Sequence, residues 1–505
     1  MTTPDPDPDF DPALLVELCR PLRAAFERTA FTTDAVAAML GDDAHAALGR
    51  GEPVPVRLAC SGELGTLIRL FLLADDVLAE DASAALAPVS LTNALAAGLL
   101  AGDPTPSGTV RTLLDVRPVD LGGGNRWILA DLDGALRPHL STRDHVLGVG
   151  HASVSLLRAI PATPVGTVLD LGTGSGVQAL RAVDHSEHVT GTDVNPRAAA
   201  LARATMVLNG VADGDVDLLT GSWFEPVAGR TFDLVVANPP FVVGEGRVHN
   251  TYRDSGLDLD GASAMVISRT PDFLAPGGTA VLLASWLHRR DEDWRHRVAS
   301  WLPDHGVDAW VVQRDVAEPA LYVGTWLRDS GEDPRDPAAA QRALDWLTHL
   351  HAADVEGIGF GFVFLRRTDA PTDLLAEDLT HGFDDPLGDE AAAYFERVAW
   401  LREHDVLQSR LRLAPATALE RVSVPGEYGW DERVVRVHRG DGPRWQHEID
   451  DLGAALLAGM NPGGLALEEL IALLAAAHDL DCGELEASAV PLVHALVRHG
   501  IALPG

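Results

Sequence analysis

The sequence predicts an α/β fold: a mainly parallel sheet in the middle of the chain, with a smaller, mainly helical domain on either side. Strand-like segments recur near 166–171, 188–193, 215–219, 231–237, 278–284, 308–314 and 358–366, and helix-compatible segments separate most of them. Alternation of that kind gives a parallel sheet covered on both faces. The first run ends in a glycine-rich turn and the fourth in Asn238-Pro239-Pro240-Phe241. Loops at the carboxyl ends of strands are where open α/β sheets bind their ligands. The length of 505 residues exceeds one ordinary domain, and composition shifts on both sides of the strand-rich middle.

In chain order, residues 1–10 alternate Pro and Asp and read as a solvated, disordered start, with neither the basic region nor the apolar core of a signal peptide. Residues 11–137 hold Ala/Leu-rich helical spacing, then two strand-like runs, Thr109–Val119 and Arg126–Leu132, joined at Leu121-Gly122-Gly123-Gly124-Asn125. Helices followed by a hairpin suggest a winged-helix-like unit. Residues 138–368 carry the sheet. Residues 369–390 read as an acidic linker, and 391–505 as a small α+β domain of similar winged-helix-like character.

The chemistry concentrates at three strand ends. Thr167-Val168-Leu169-Asp170-Leu171 runs into Gly172-Thr173-Gly174-Ser175-Gly176 and a helix from Val177. The glycines permit a tight turn and close backbone approach to a ligand. With Val at 177 the dinucleotide spacing G-x-G-x-x-G is not met, which counts against a nicotinamide oxidoreductase. The second strand ends in Asp193, placed to accept from the hydroxyls of a ribose. At Asn238-Pro239-Pro240-Phe241 two prolines stiffen the loop and remove two donors, leaving carbonyls and the Asn238 amide oxygen to accept. Phe241 adds a flat apolar face. Paired acceptors beside a ring suit a planar, conjugated NH2 group. The same tetrapeptide also reads as an ordinary strand-ending turn.

Taken together, Asp170 through Gly176, Asp193 and Asn238-Pro239-Pro240-Phe241 resemble the class I S-adenosylmethionine-dependent methyltransferases, in the NPP[FY] branch that methylates amide and base nitrogens. The resemblance covers about residues 140–368 and implies a Rossmann-like seven-stranded sheet whose last strand runs antiparallel between the fifth and sixth. It implies that Asp170, Gly172, Thr173, Gly174 and Gly176 hold the methionine part of S-adenosyl-L-methionine and that Asp193 holds the ribose. Ser222 with Trp223 or Phe224 would meet the adenine, with Asn238 adjoining the cofactor. Asn238, Pro239, Pro240 and Phe241 are then the catalytic group. His151 would border the substrate, and Val242–Leu259 would form a lid over it. The flanks, 1–137 and 390–505, would select the substrate without supplying a catalytic group. A non-catalytic cofactor-binding scaffold is the alternative, disfavoured because the motifs are intact.

The remaining composition narrows partners. Net charge is −35 and the chain holds no lysine, so attraction to naked nucleic acid is weak outside Arg397–Trp445, where nine arginines cluster. Arg436, Arg439 and Arg444-Trp445 would contact phosphate and a base if RNA is the substrate, or else pair with acidic neighbours such as Asp431, Glu432 and Asp441. A macromolecular substrate is expected, RNA slightly ahead of a protein glutamine, DNA behind both. Cys19, Cys60 and Cys482 are too scattered for a disulfide framework or a cysteine zinc site, and no H-E-x-x-H occurs, so no metal is expected. No apolar run of membrane-spanning length appears, and a reducing cytoplasmic location is expected.

Overall fold

The computed structural model describes residues 9–132, 143–248, 251–383 and 386–505. They form two compact units, Met1–Leu157 with Thr163–Asp378, and Arg158–Ala162 with Leu379–Gly505.

The first unit is built on an eight-stranded sheet: β1 Val165–Leu171, β2 Ser186–Asp193, β3 Val216–Thr220, β4 Phe232–Ala237, β5 Leu274–Arg289, β6 His305–Ala317, β7 Val355–Pro371 and β8 Asp373–Asp378. Their order across the sheet is β8-β6-β7-β5-β4-β1-β2-β3. Pairing is parallel from β3 through β5, and β7 runs antiparallel to both β5 and β6. The seven expected strands are all present, the last in the reversed position that the resemblance implies. An eighth was not expected. Asp373–Asp378 pairs in parallel with β6 inside the stretch read as an acidic linker, and Trp310 Nε1 donates to Glu377 at 2.7 Å. Acidic residues suit an exposed edge strand, because charge there discourages further pairing, and that same charge made it read as linker. Residues 384–385 of that stretch lie outside the described set.

The N-terminal region is not a separate, mainly helical domain. Leu15, Leu22, Phe26, Phe31 and Phe71 share one core with Leu201, Ala204 and Leu208 of the helix Pro196–Leu208 that follows β2. A hairpin, Leu114–Asp120 with Asn125–Asp131, closes this core with Val116, Trp127 and Leu129. Its outer strand is hydrogen-bonded by side chains rather than by another strand. Asn209 Oδ1 accepts from Trp127 N at 2.9 Å, Asn209 Nδ2 donates to Trp127 O at 2.7 Å, and Thr205 Oγ1 accepts from Leu129 N at 3.1 Å. Buried backbone groups need partners, so these side chains weld the hairpin to the sheet domain. Of the start read as disordered, residues 1–8 lie outside the described set, and Phe10 lies 4.7 Å beneath the Arg197 guanidinium.

The second unit is mixed: a three-stranded sheet, Thr417–Gly426, Gly429–Arg439 and Gln446–Glu448, with helices Leu387–Glu403, Asp451–Gly459, Leu467–His478 and Cys482–Arg498. Three arginines of the cluster there are paired with carboxylates. Arg421 bonds Glu432 at 2.8 Å, Arg436 pairs with Glu420, and Arg439 reaches Glu390 at 2.7 Å and Asp441 at 2.5 Å. Trp445 is buried and stacked on His499, the rings 4.3 Å apart and 2° from parallel, which removes it as a surface for a base. No described helix is long and apolar enough to cross a membrane.

Candidate active site

Register places the three motifs side by side. Leu171 pairs with Thr192 of β2 and Ala237 of β4, and Asp193 pairs with Thr220 of β3. Gly172, Asp193, Gly221 and Asn238 therefore emerge at one edge from four adjacent strands, with β1 and β4 at the point where strand order reverses. A cavity of about 720 Å3 opens there. It is lined by Gly172, Thr173, Gly174, Asp193, Ser222, Trp223, Asn238, Pro239 and Pro240, nine of the twelve residues expected at the site.

The glycine turn is held from beneath and behind. Asp170 Oδ2 accepts from Thr173 Oγ1 at 2.6 Å and from Ala179 N at 3.0 Å. Asp170 is fully buried and not among the lining residues, so it shapes the turn rather than touching a ligand. Burial pushes its carboxyl up to about 6 against those two bonds. Asp193 Oδ2 accepts from Gly174 N at 2.9 Å and Oδ1 from Asn195 N at 2.8 Å. Burial raises its pKa as well. Each carboxylate oxygen keeps a further lone pair for a hydroxyl in the cavity.

The glycines divide by role. Gly174 has φ +54 and a Cβ built there would meet nothing within 4 Å, so it would protrude into the cradle. Gly172 has φ +77, and a Cβ would approach only the Asn238 carbonyl at 4.0 Å. Gly176, expected at the cofactor, does not line the cavity: its Cβ would press on Met206 Cε at 3.1 Å and Ala202 at 3.3 Å. It lets the helix behind pack closely. An open, glycine-walled cradle flanked by Asp193 fits the extended, ribose-bearing S-adenosylmethionine expected there.

Phe241, the twelfth expected residue, is half-buried and also absent from the cavity lining. Its carbonyl accepts from Ser285 Oγ at 2.6 Å. Beyond it, Val243 N donates to the Tyr322 hydroxyl at 2.7 Å and Val243 O accepts from Trp346 Nε1 at 2.9 Å. Tyr322 and Trp346 lie on the two helices between β6 and β7, Pro319–Asp329 and Pro337–Ala352, so that insertion braces the chain leaving the motif. Phe224 is committed to the core, stacked on Phe273 at 4.4 Å, whereas Ser222 and Trp223 line the cavity.

Sequence reasoning missed the roof. Asp115, Arg117 and Asp131 of the N-terminal hairpin line the cavity, although that flank was expected only to select the substrate and none of its residues was singled out. Asp131 Oδ2 accepts from Val146 N at 2.8 Å, and its two oxygens clasp Arg197 at 2.5 and 2.9 Å. The pair fixes both hairpin and the 143–150 segment over the glycine turn. Apolar Leu114 and Val116 alternating with charged Asp115 and Arg117 were the available signal. His151 does border the cavity. The expected lid is pinned: buried Arg253 donates to Trp326 O at 2.8 Å and pairs with Asp254 at 3.3 Å, while residues 249–250 lie outside the described set. Among the described residues no cluster of three or more His, Cys, Asp or Glu could hold a metal.

Comparison with known proteins agrees with this geometry. Residues 147–284 match the family model of the methyltransferase small domain. Residues 28–112 and 392–504 match two domains of unknown function, DUF7059 and DUF7782. The central domain is thus similar to methyltransferase domains. Its relatives include the release factor glutamine methyltransferases of Yersinia pestis, 36% identical over 143 residues, and Vibrio cholerae, 42% identical over 172. These alignments cover 26% and 31% of this chain and 50% and 51% of the relatives, so the chain spans about half their length. The ribosomal RNA small subunit methyltransferase C of Klebsiella pneumoniae is 38% identical over 106 residues, covering 21% of this chain and 29% of that one.

Proposed function

We propose that this chain transfers a methyl group from S-adenosylmethionine to the nitrogen of a planar NH2 group, with a glutamine side-chain amide of a protein as the favoured acceptor. One observation carries the reading: Asn238, Pro239 and Pro240 line the same cavity as the glycine turn and Asp193. When bound, S-adenosylmethionine supplies an electrophilic methyl. The chain's own part is to hold and polarise the acceptor. The Asn238 amide oxygen and the Pro239 carbonyl accept the two N–H groups, which directs the nitrogen lone pair towards the cofactor end of the cavity. Those bonds strengthen as positive charge develops on nitrogen, so they stabilise the transition state more than the bound substrate. The prolines and the Ser285–Phe241 bond keep the acceptors fixed, which supplies orientation. No side-chain base is needed before attack, because the proton leaves only once nitrogen is charged.

The choice of a protein acceptor over RNA rests on the second unit. Arg436 and Arg439, two of the three cations that made RNA attractive, are engaged by carboxylates, and Trp445 is buried. Transfer of labelled methyl into fractionated extract tests the proposal. Label in protein, released as N-methylglutamine by enzymatic digestion and as methylamine by acid hydrolysis, is expected; label in RNA alone would overturn the acceptor, and no transfer to any fraction would overturn the activity.

A further inference from the structure

Phe241 was expected to supply the flat face beside the paired acceptors, yet it does not line the cavity. Among the described residues, two large aromatic side chains do: Trp223 and Tyr252. Trp223 follows β3, which lies three strands from β4 in the sheet order. At the usual spacing of neighbouring strands, its loop leaves the sheet about 14 Å from the one that carries Asn238. Tyr252 lies closer to the motif than its number implies. Val242 N donates to Arg253 O at 3.3 Å, so the chain folds back and lays residues 252–253 beside the end of the motif. Tyr252, Asp254 and Ser255 of that return line the same cavity as Asn238, Pro239 and Pro240.

The return is held at three points. Thr251 N donates to Arg143 O at 2.8 Å, and buried Arg253 donates to Trp326 O at 2.8 Å. The Tyr252 ring meets that of buried His145 edge to face, with centroids 5.9 Å apart. Tyr252 itself is only half-buried. A ring held by its neighbours offers a flat apolar surface at little further cost in side-chain entropy. Resting on the methyltransferase reading, we propose that Tyr252, rather than Phe241, is the residue on which the planar NH2-bearing group of the acceptor packs. Asn238 and Pro239 take the N–H groups at the edge of that group, and Tyr252 covers its face. Tyr252 thus favours flat, conjugated acceptors over tetrahedral amines of similar size. The contact is made in the bound substrate and the transition state alike, so it acts on binding more than on the chemical step.

Steady-state transfer to the fraction that wild type labels tests it, with S-adenosylhomocysteine affinity and melting temperature measured on the same preparations. Tyr252→Leu keeps apolar bulk without the flat face. It should raise KM for that fraction at least about 5-fold, lower kcat by less, and hold S-adenosylhomocysteine affinity within about 2-fold. Tyr252→Phe restores the face and should recover most of the loss. An unchanged KM in Tyr252→Leu, or a loss in Tyr252→Phe as large as in Tyr252→Leu, would overturn the packing role while leaving the methyltransferase reading intact. So would a fall in cofactor affinity and melting temperature that matches the rise in KM, since a ring that only braces the loop would give that pattern. A wild-type chain that labels no fraction would instead defeat the methyltransferase reading, and the proposal with it.

Discussion

Replacing Asp131 with alanine should unlock the roof of the site. Its side chain is 0% exposed and its partner Arg197 12%, so the substitution leaves a nearly buried guanidinium without its carboxylate. Breaking such a pair from one side costs about 3–5 kcal/mol. Val146 N also loses its acceptor at 2.8 Å, a group worth about 1–3 kcal/mol when left unsatisfied. The two effects overlap, because both act through one carboxylate, and a net loss of about 4 kcal/mol follows. Urea unfolding followed by tryptophan fluorescence reads it, Trp127 lying on the same hairpin. The double variant Asp131→Leu with Arg197→Met removes the stranded charge and should recover most of the loss. A loss under about 1 kcal/mol in Asp131→Ala would show that the hairpin is held by its apolar face alone, and the ion-pair argument would fail.

The Asp170 carboxyl, raised to about 6 by burial, binds a proton more tightly in the folded chain than in the unfolded one. Its contribution to stability is therefore full at low pH and lost as pH rises through 6, by about 3 kcal/mol. Asp170→Asn cannot ionise, so its stability relative to wild type should climb between pH 4 and 7.5; a pH-independent difference in urea midpoint would refute this. Gly174→Ala and Gly176→Ala both place a methyl at positive φ, at about 1–2 kcal/mol of strain. The first should cut S-adenosylhomocysteine affinity at least 10-fold because its Cβ enters the cradle, and the second should lower melting temperature more than affinity; calorimetry and thermal scans separate them. Arg436→Glu should leave RNA binding and its salt slope unchanged, since Glu420 already occupies that cation; a weakened, shallower slope would return RNA to the front.

Much of the sheet was legible because most of its strands carry a short apolar core, such as Leu234–Ala237, that runs into a turn or motif residue, and seven of eight announced themselves. The eighth, Asp373–Asp378, is a half-buried edge strand that carries acids at both ends, and periodicity cannot tell that from a solvated linker. The strand-end motifs were legible because glycine and proline constrain backbone wherever they fall. Their division of labour was not: Gly176 packs against Ala202 and Met206, Phe241 does not line the cavity, and Asp170 works from behind the turn. Those roles depend on which side of a loop faces the next element, which spacing does not encode. The hairpin's place in the site was invisible for a related reason. Its docking rests on Asn209, Thr205 and Arg197, all on a helix that lies more than sixty residues further along the chain.

The central claim is that Asn238 acts on the methyl acceptor and not on the cofactor. The direct measurement is single-turnover methyl transfer by Asn238→Ala on the protein fraction labelled by wild type, paired with S-adenosylhomocysteine affinity on the same preparation. The account predicts a rate lower by on the order of 10²-fold or more, from the loss of one fixed hydrogen-bond acceptor, with affinity within 2-fold of wild type. A variant that keeps most of its transfer rate, or one that loses rate and cofactor affinity in equal measure, would contradict it.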